Sequence, residues 1–180
     1  MDLYDAIRSR RSVRAFEDRE VPRECLDRIL EAARQAPSAN NAMPWHFIVV
    51  TDPAVRKSIA ESGTYGKFLS HTPVVIVACG DVAASPHWYA IDTAIALEHI
   101  ALAAVAEGLG SCWIGSYEEL VVKKLLDVPE AQRVVALLAL GYPKVQIDFT
   151  KIASRLIPPS KGLDKIASEG SYHRAWKAGS

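Results

Sequence analysis

The sequence predicts a mixed fold of helices and strands, α+β or α/β, built on one sheet of four or five strands. The chain has 180 residues, which is enough for one domain with a substantial core, and we expect a single domain over residues 1–180. Hydrophobic residues make up 49 % of the chain and charged residues 23 %, as in ordinary globular proteins. Helical and extended patterns alternate along the chain, but the extended ones are few.

Two short helices are expected first. Asp2 is placed to cap a helix in which Leu3 and Ile7 share one face. A second helix is expected to have Pro22 in its first turn and to end before Pro37, because proline fits a helix start and interrupts a helix interior.

The middle of the chain alternates strand and helix. Residues 45–51 read as a strand, and Asp52 followed by Pro53 is typical of a helix start. Residues 73–79 read as a buried strand. Residues 88–107 form the most helical stretch, and its apolar side chains cover nearly the whole circumference. Such a helix belongs in a core or at an interface.

The last elements are less regular. Ser116 and Glu119 have the spacing of a capping box, which predicts a helix that runs to about residue 126. Residues 133–140 read as a long strand, and a short helix is expected near residues 163–167.

Charge, cysteine content and the N-terminus narrow the classes of function. Lys and Arg number 21, as do Asp and Glu, so the balanced charge argues against a globally basic nucleic-acid-binding protein. Cys25, Cys79 and Cys112 are far apart and match no zinc spacing, so we expect reduced thiols and no metal site. No signal sequence or membrane-length apolar run is apparent, which favours a cytoplasmic protein without a membrane partner.

A cluster of arginines follows the first helix. Residues 8–14 carry four arginines and two serines, and these side chains can bind a phosphate group through several hydrogen bonds. The alternative is a set of solvated cations that compensate the negative end of the helix.

Two other segments carry groups that suit a ligand. The loop at residues 36–45 offers serine and asparagine groups that could meet the polar edge of a planar heterocycle, although an ordinary turn fits as well. The glycines at residues 108–115 allow close approach of the backbone to a ligand, or else end a helix and form a buried turn.

Together these segments resemble the FMN-dependent nitroreductase family. The matching phrases are R-R-S-V-R-A-F at residues 10–16, A-P-S-A-N-N-A-M-P-W at residues 36–45, G-L-G-S-C-W-I-G at residues 108–115 and L-G-Y-P at residues 140–143. The resemblance covers residues 1–143. It implies an α+β fold in which helices surround a mixed, largely antiparallel sheet, assembled as an intertwined homodimer with FMN at the interface.

The resemblance also implies roles for individual residues. Arg10, Arg11 and Ser12 would hold phosphate and ribityl oxygens, and Arg14 would reach the ring edge. The partner subunit would supply Pro37, Ser38 and Asn40. Lys67 would lie near flavin N1 and the C2 carbonyl and stabilise the negative charge of the reduced ring. Trp113 would line the ring, while backbone amides at Ile114 and Gly115 would face N5, so Lys67 and Gly115 are the expected catalytic positions.

Some positions depart from the family pattern. Met43 replaces the usual Gln, and Thr64 stands where some relatives have Asn. The basic pair that usually completes the phosphate site is displaced, and Arg155 and Lys161 compete for that role, with Arg155 slightly favoured.

The implied activity is hydride transfer from NADH or NADPH through flavin N5 to nitroaromatics, quinones or similar small electrophiles, by a ping-pong mechanism. A relative with another reaction, such as reductive dehalogenation or flavin fragmentation, and a non-catalytic FMN sensor or store are the alternatives. The sequence does not choose between NADH and NADPH or name the physiological acceptor.

Overall fold

A computed structural model describes residues 1–144 and 161–177. The chain divides into two compact units, Met1–Lys144 and Val145–Ser180. The first unit contains all of the described strands. Arg155 lies outside the described residues, and the single domain expected over residues 1–180 stays a prediction.

The elements follow the predicted order with one addition to the strands: residues 108–115, expected to approach a ligand or to form a buried turn, contain a strand. The helices are α1 (Leu3–Ser9), α2 (Arg23–Arg34), α3 (Pro53–Glu61), α4 (Tyr89–Ala106), α5 (Glu119–Leu125) and α6 (Leu163–Ile166), the strands are β1 (Trp45–Val50), β2 (Val74–Asp81), β3 (Gly110–Ile114) and β4 (Gln132–Gly141), and short 3₁₀ helices occupy Ala39–Asn41 and Lys67–His71.

The four strands form one sheet in the order β1-β2-β4-β3, and each neighbouring pair is antiparallel. This arrangement confirms α+β over α/β, because α/β folds rest on parallel strands. Ile76 of β2 lies between Val49 of β1 and Leu138 of β4, which fixes the register. Among the described residues, the one parallel contact on this sheet is an isolated bridge between Ser12 and Ser111.

The sheet separates two apolar layers. Val74, Ile76 and Ala78 of β2 join a core with α2 and α4, while the alternate residues Val75 and Val77 join a core on the opposite face. Alternate side chains of a strand point to opposite faces, so burial of both sets places β2 at the centre of the domain.

Helix α4 lies across one face of the sheet. Its residues Leu97, Ile100, Ala101 and Ala104 are fully buried. It is the one helix in the described ranges that is long and apolar enough to cross a membrane by length and composition, and a core helix meets the same two criteria. Ile91 and Ile95 remain exposed on another side of the helix.

Two helix starts differ from the sequence prediction. The capping box at Ser116 and Glu119 is wrong, because α5 begins one residue after Glu118, which makes no side-chain cap hydrogen bond. The Glu119 carboxylate instead accepts hydrogen bonds from Arg133 and from the Val134 amide. Pro22 precedes α2 as its N-cap residue and is not in the first turn.

The second unit is described at residues 161–177. Helix α6 matches the predicted short helix, and Ser168 pairs with Ala175 in an isolated antiparallel bridge. The side chains of Ile166, Tyr172 and Trp176 are exposed within the described structure.

Candidate functional site

The arginine-rich segment lies along the start of β3. Ser12 forms its parallel bridge with Ser111, and the Val13 amide donates a hydrogen bond of 2.9 Å to the Ser111 carbonyl. Gly110 permits this approach, since a Cβ there would lie 2.7 Å from Val13 Cγ2. Backbone pairing therefore holds residues 12–13 against the strand. It also places the neighbouring arginines near the start of β3.

The arginines of this segment differ in their partners. Arg10 Nε lies 3.7 Å from Glu98 Oε1, and Arg11 Nε donates to the Ser9 carbonyl. Among residues 1–144 and 161–177, no carboxylate oxygen lies within 4.0 Å of the guanidinium of Arg11 or Arg14. Exposed guanidiniums of this kind are suited to binding a phosphate through paired hydrogen bonds.

Strand β3 forms a wall beside that segment. Trp113 Nε1 donates a hydrogen bond of 3.0 Å to Glu98 Oε2, and Ile114 is buried. Gly115 follows at the end of the strand and is exposed, and a Cβ built on it would meet no atom of the described chain within 4 Å. Glu98 therefore contacts both Arg10 and Trp113, next to a strand that ends in open space.

Lys67 follows a loop that packs against the residues just after Gly115. The Glu118 amide donates to the Ser62 carbonyl at 3.1 Å, and a Cβ on Gly63 would lie 2.0 Å from the Ser116 carbonyl oxygen. Lys67 begins the 3₁₀ helix four residues later and lines a cavity of about 660 Å³ between that helix and α3. The fold thus brings the segments that carry the two expected catalytic positions together.

The loop between α2 and β1 has a strained backbone. Asn40, Asn41 and Met43 have φ angles of 52°, 55° and 42°, in the left-handed region that non-glycine residues seldom adopt. Ser38 Oγ accepts a hydrogen bond of 2.9 Å from the Met43 amide. Because that bond uses a lone pair of Ser38, its hydroxyl proton remains available to a ligand.

A buried carboxylate anchors this loop to α4. The Ala39 amide lies 3.2 and 3.3 Å from the two carboxylate oxygens of Asp92, and Ser85 Oγ donates to Asp92 at 3.4 Å. Asp92 is only 3 % exposed. In the described part of the chain no hydrogen bond or ion pair joins the loop to the arginine segment.

Sequence reasoning did not assign roles to Asp92 and Glu98. Both are acidic residues in a helix that is otherwise strongly apolar, and that contrast is the signal that could have marked them. Their partners are distant in the chain: Ala39 is 53 residues from Asp92, and Arg10, the C-cap residue of α1, is 88 residues from Glu98.

The donor set fits FMN. The arginine segment offers cations for a phosphate, and Ser111 Oγ is a buried hydroxyl without a hydrogen-bond partner in the described residues. The open space at Gly115 would allow a planar ring to approach the backbone. Lys161 is exposed in the second unit. The role of Lys161 or Arg155 in completing the phosphate site stays a prediction.

The thiols offer no competing chemistry. Cys25, Cys79 and Cys112 are free and buried. Desolvation raises the pKa of Cys79 to about 11 and also raises the pKa of Cys25, which lies near Glu107. The Cys25 and Cys79 thiols therefore stay protonated and are poor nucleophiles.

Comparison with known proteins identifies the family. The model of the nitroreductase family matches residues 7–64 and 62–142. A protein of Archaeoglobus fulgidus with the provisional name NADH dehydrogenase/NAD(P)H nitroreductase is 41 % identical over 159 residues, which cover 84 % of this chain and 91 % of that protein. An iodotyrosine deiodinase of Thermotoga neapolitana is 28 % identical, with 78 % and 88 % covered.

Solved structures agree with the sequence relatives. A Bacteroides thetaiotaomicron protein with the same provisional NADH dehydrogenase/NAD(P)H nitroreductase name superposes with a TM-score of 0.83 at 32 % identity, over 94 % of this chain and 98 % of the other. An FMN-dependent nitroreductase from Clostridium difficile has a TM-score of 0.74 at 29 % identity, over 87 % and 98 %. On its motifs, its fold and these matches, the chain belongs to the nitroreductase family.

Proposed function

We propose that this chain is the subunit of an FMN-dependent oxidoreductase that uses NADH or NADPH to reduce nitroaromatics, quinones or similar small electrophiles. One observation carries the proposal: the arginine segment is paired along β3, and β3 ends at the open backbone of Gly115. A phosphate-bearing planar cofactor matches both ends of that arrangement. The names of the relatives support the NAD(P)H-dependent oxidoreductase class.

The side chains would bind and tune the cofactor. Arg10, Arg11 and Ser12 would hold the phosphate and ribityl chain, and Arg14 the ring edge. When bound, FMN supplies the hydride-accepting and hydride-donating chemistry. Lys67 would place its ammonium where negative charge develops, and a cation preorganised at that position lowers the barrier.

We include a homodimer in the proposal. Leu3, Tyr4 and Ile7 are exposed on α1, which packs against α4, where Ile91 and Ile95 are exposed. Exposed apolar side chains on two packed helices are consistent with an association surface, and the zero net charge adds no repulsion between copies. In that dimer the loop with Pro37, Ser38 and Asn40 would complete the partner's site. A cytoplasmic location fits the free thiols.

Iodotyrosine deiodination is the second candidate. The Thermotoga neapolitana relative matches most of this chain under that name, and a shared fold does not fix the acceptor. Flavin fragmentation and a non-catalytic FMN store are further alternatives. The acceptor that reoxidises the protein therefore decides among these readings.

The test is anaerobic stopped-flow reduction of the FMN-loaded protein with NADH and with NADPH, followed by an acceptor panel of a nitroaromatic, a quinone and an iodotyrosine. We expect one nicotinamide to bleach the flavin absorbance and the nitroaromatic or quinone to restore it. Flavin that neither nicotinamide bleaches would refute the NAD(P)H-dependent oxidoreductase, and reoxidation by iodotyrosine alone would favour the deiodinase.

The role of Lys67 has its own prediction. Lys67→Ala should slow flavin reduction by about tenfold or more, because the developing negative charge loses its cation. Lys57→Ala is the matched control, since Lys57 lines the same cavity but pairs with Glu61 and has no assigned contact with the ring. Equal rates in wild type and Lys67→Ala would show that the charge role is misassigned.

A further inference from the structure

Helix α4 fills the core and also binds two loops through its acidic side chains. Its buried Asp92 is bound to the loop that holds Ser38 and Asn40, and six residues later Glu98 contacts Arg10 and Trp113. Six residues of helix rise about 9 Å and turn about 240°, so the two carboxylates point to different sides of α4. One helix thus anchors both segments that are expected to bind FMN.

Asp92 is the stronger of the two anchors. It is nearly completely buried, while Glu98 is partly exposed. Burying a carboxylate is costly unless hydrogen bonds compensate it. The compensation comes from the loop, through the Ala39 amide, and from the Ser85 hydroxyl before α4.

The loop needs such an anchor. Three of its residues have left-handed backbone angles, and each such conformation of a non-glycine residue costs about 1 kcal/mol or more. A conformation of that kind persists only where contacts from outside the loop fix it. Within the loop, the amides of residues 41–43 bond to Ser38 and Ala39, and in the described chain the Ala39 amide makes the hydrogen bond that ties the loop to α4, through Asp92.

We propose that Asp92 is the positioning residue of the FMN site: its carboxylate fixes the Ala39 amide and thereby presents the Ser38 hydroxyl to the cofactor. This inference rests on the proposed function, since it takes the loop as a flavin contact. Asp92 itself touches no cofactor. Its effect is on the affinity for FMN and on the order of the loop.

The test compares four variants with wild type. Asp92→Leu removes the acceptor, Asp92→Asn keeps one oxygen for the Ala39 amide, and Asp92→Ser provides a shorter side chain in case the leucine variant does not fold. Ser85→Ala removes the other hydrogen bond of Asp92 and leaves the loop contact. FMN affinity is measured by quenching of flavin fluorescence, and amide hydrogen exchange at residues 38–43 is followed in the flavin-free protein.

We expect Asp92→Leu and Asp92→Ser to bind FMN about tenfold to a hundredfold more weakly, as expected for loss of a hydrogen bond to a charged group. Exchange at residues 38–43 should accelerate in the same two variants. Asp92→Asn and Ser85→Ala should stay within about threefold of wild type in affinity, because both keep an acceptor for the Ala39 amide.

Two results would overturn the inference. One is unchanged FMN affinity in Asp92→Leu or Asp92→Ser, and the other is an equal loss in Ser85→Ala, which would indicate general destabilisation of α4. Wild-type protein that binds no FMN would instead refute the proposed function. Faster exchange of the loop without FMN in Asp92→Ser would then still establish the anchor itself.

Discussion

Two glycines near the site illustrate opposite demands on a residue without a side chain. Gly63 faces the Ser116 carbonyl, where a Cβ would lie at 2.0 Å, whereas a Cβ on Gly115 would meet nothing within 4 Å among the residues that the structure describes. The first glycine is needed by the packing of the protein. The second leaves a space that no residue of segments 1–144 and 161–177 fills.

The two positions should respond differently to alanine. Gly63→Ala should lower the free energy of unfolding by about 2 kcal/mol or more, because backbone must move to admit the methyl group. Gly115→Ala should leave that free energy within about 0.5 kcal/mol of wild type. Urea unfolding of the flavin-free protein measures both. Equal stability of the two variants would contradict the packing described around Gly63.

Single residues of the site could be predicted from the sequence where they lie within one continuous motif. The arginines at residues 10–14 and the glycine at 115 lie in continuous motifs, so their assignment needs no knowledge of the fold. Asp92 could not be assigned in this way, because its partner Ala39 lies 53 residues away and donates a backbone amide that any residue except proline carries.

Side-chain hydrogen bonds join the start of α5 to the start of β4. Tyr117 donates a hydrogen bond of 2.7 Å to the Val134 carbonyl, and Arg133 bonds to Glu119. That hydrogen bond from Arg133 holds the pKa of Glu119 below its usual range. Burial, with Glu119 and Cys79 nearby, raises the pKa of Tyr117 to about 12.

This junction predicts a specific alkaline response. The folded state resists ionisation of Tyr117 up to about pH 12, whereas the unfolded chain releases that proton near pH 10.0. The unfolded state therefore binds fewer protons in this window, and stability falls as pH rises through it. Tyr117→Phe should cost about 1 kcal/mol at pH 8 and show a shallower loss at higher pH. Urea unfolding from pH 8 to pH 11.5 measures the slope, and parallel curves would refute the assignment.

Elements were predictable where local patterns are strong. The buried strand at residues 73–79 and the long helix at residues 88–107 appear as β2 and α4 with small shifts at their ends. The predicted start of α5 was wrong because Glu119 bonds to β4. This contact between distant segments outweighs the local capping pattern. The strand order could not be derived from periodicity, since β4 inserts between β2 and β3.

At the scale of the whole molecule, the proposed dimer divides each site between two copies. The arginine segment is paired to its own β3, while the Ser38 loop is anchored separately to α4. Such a division can be tested without a structure of the dimer, because defects in the two segments should compensate each other when they lie in different chains.

We predict complementation between Arg10→Ala and Ser38→Ala chains. Each variant alone should bind FMN weakly, because each changes both sites of its homodimer. Coexpression gives mixed dimers in which one site carries both defects and the other carries none, so about a quarter of all sites should regain wild-type affinity after random pairing. FMN titration of the copurified mixture measures this fraction. Its absence in confirmed mixed dimers would place the loop and the arginines in the same chain's site.

Composition alone does not indicate that a site is shared between two subunits. Zero net charge conceals four arginines within residues 8–14, and 49 % hydrophobic residues fit a monomer as well as a dimer. The proposed dimer rests on the resemblance to a family and on the exposed apolar residues of α1 and α4.

The burial of the thiols protects the chain from chemical modification of its cysteines. Quinones alkylate accessible thiolates, and an enzyme that handles them is exposed to this damage at each turnover. Cys25, Cys79 and Cys112 are at most 4 % exposed, and burial keeps Cys79 and Cys25 protonated. The folded chain therefore presents no thiol to the quinones that are proposed as its acceptors, whereas unfolding would expose all three thiols to alkylation.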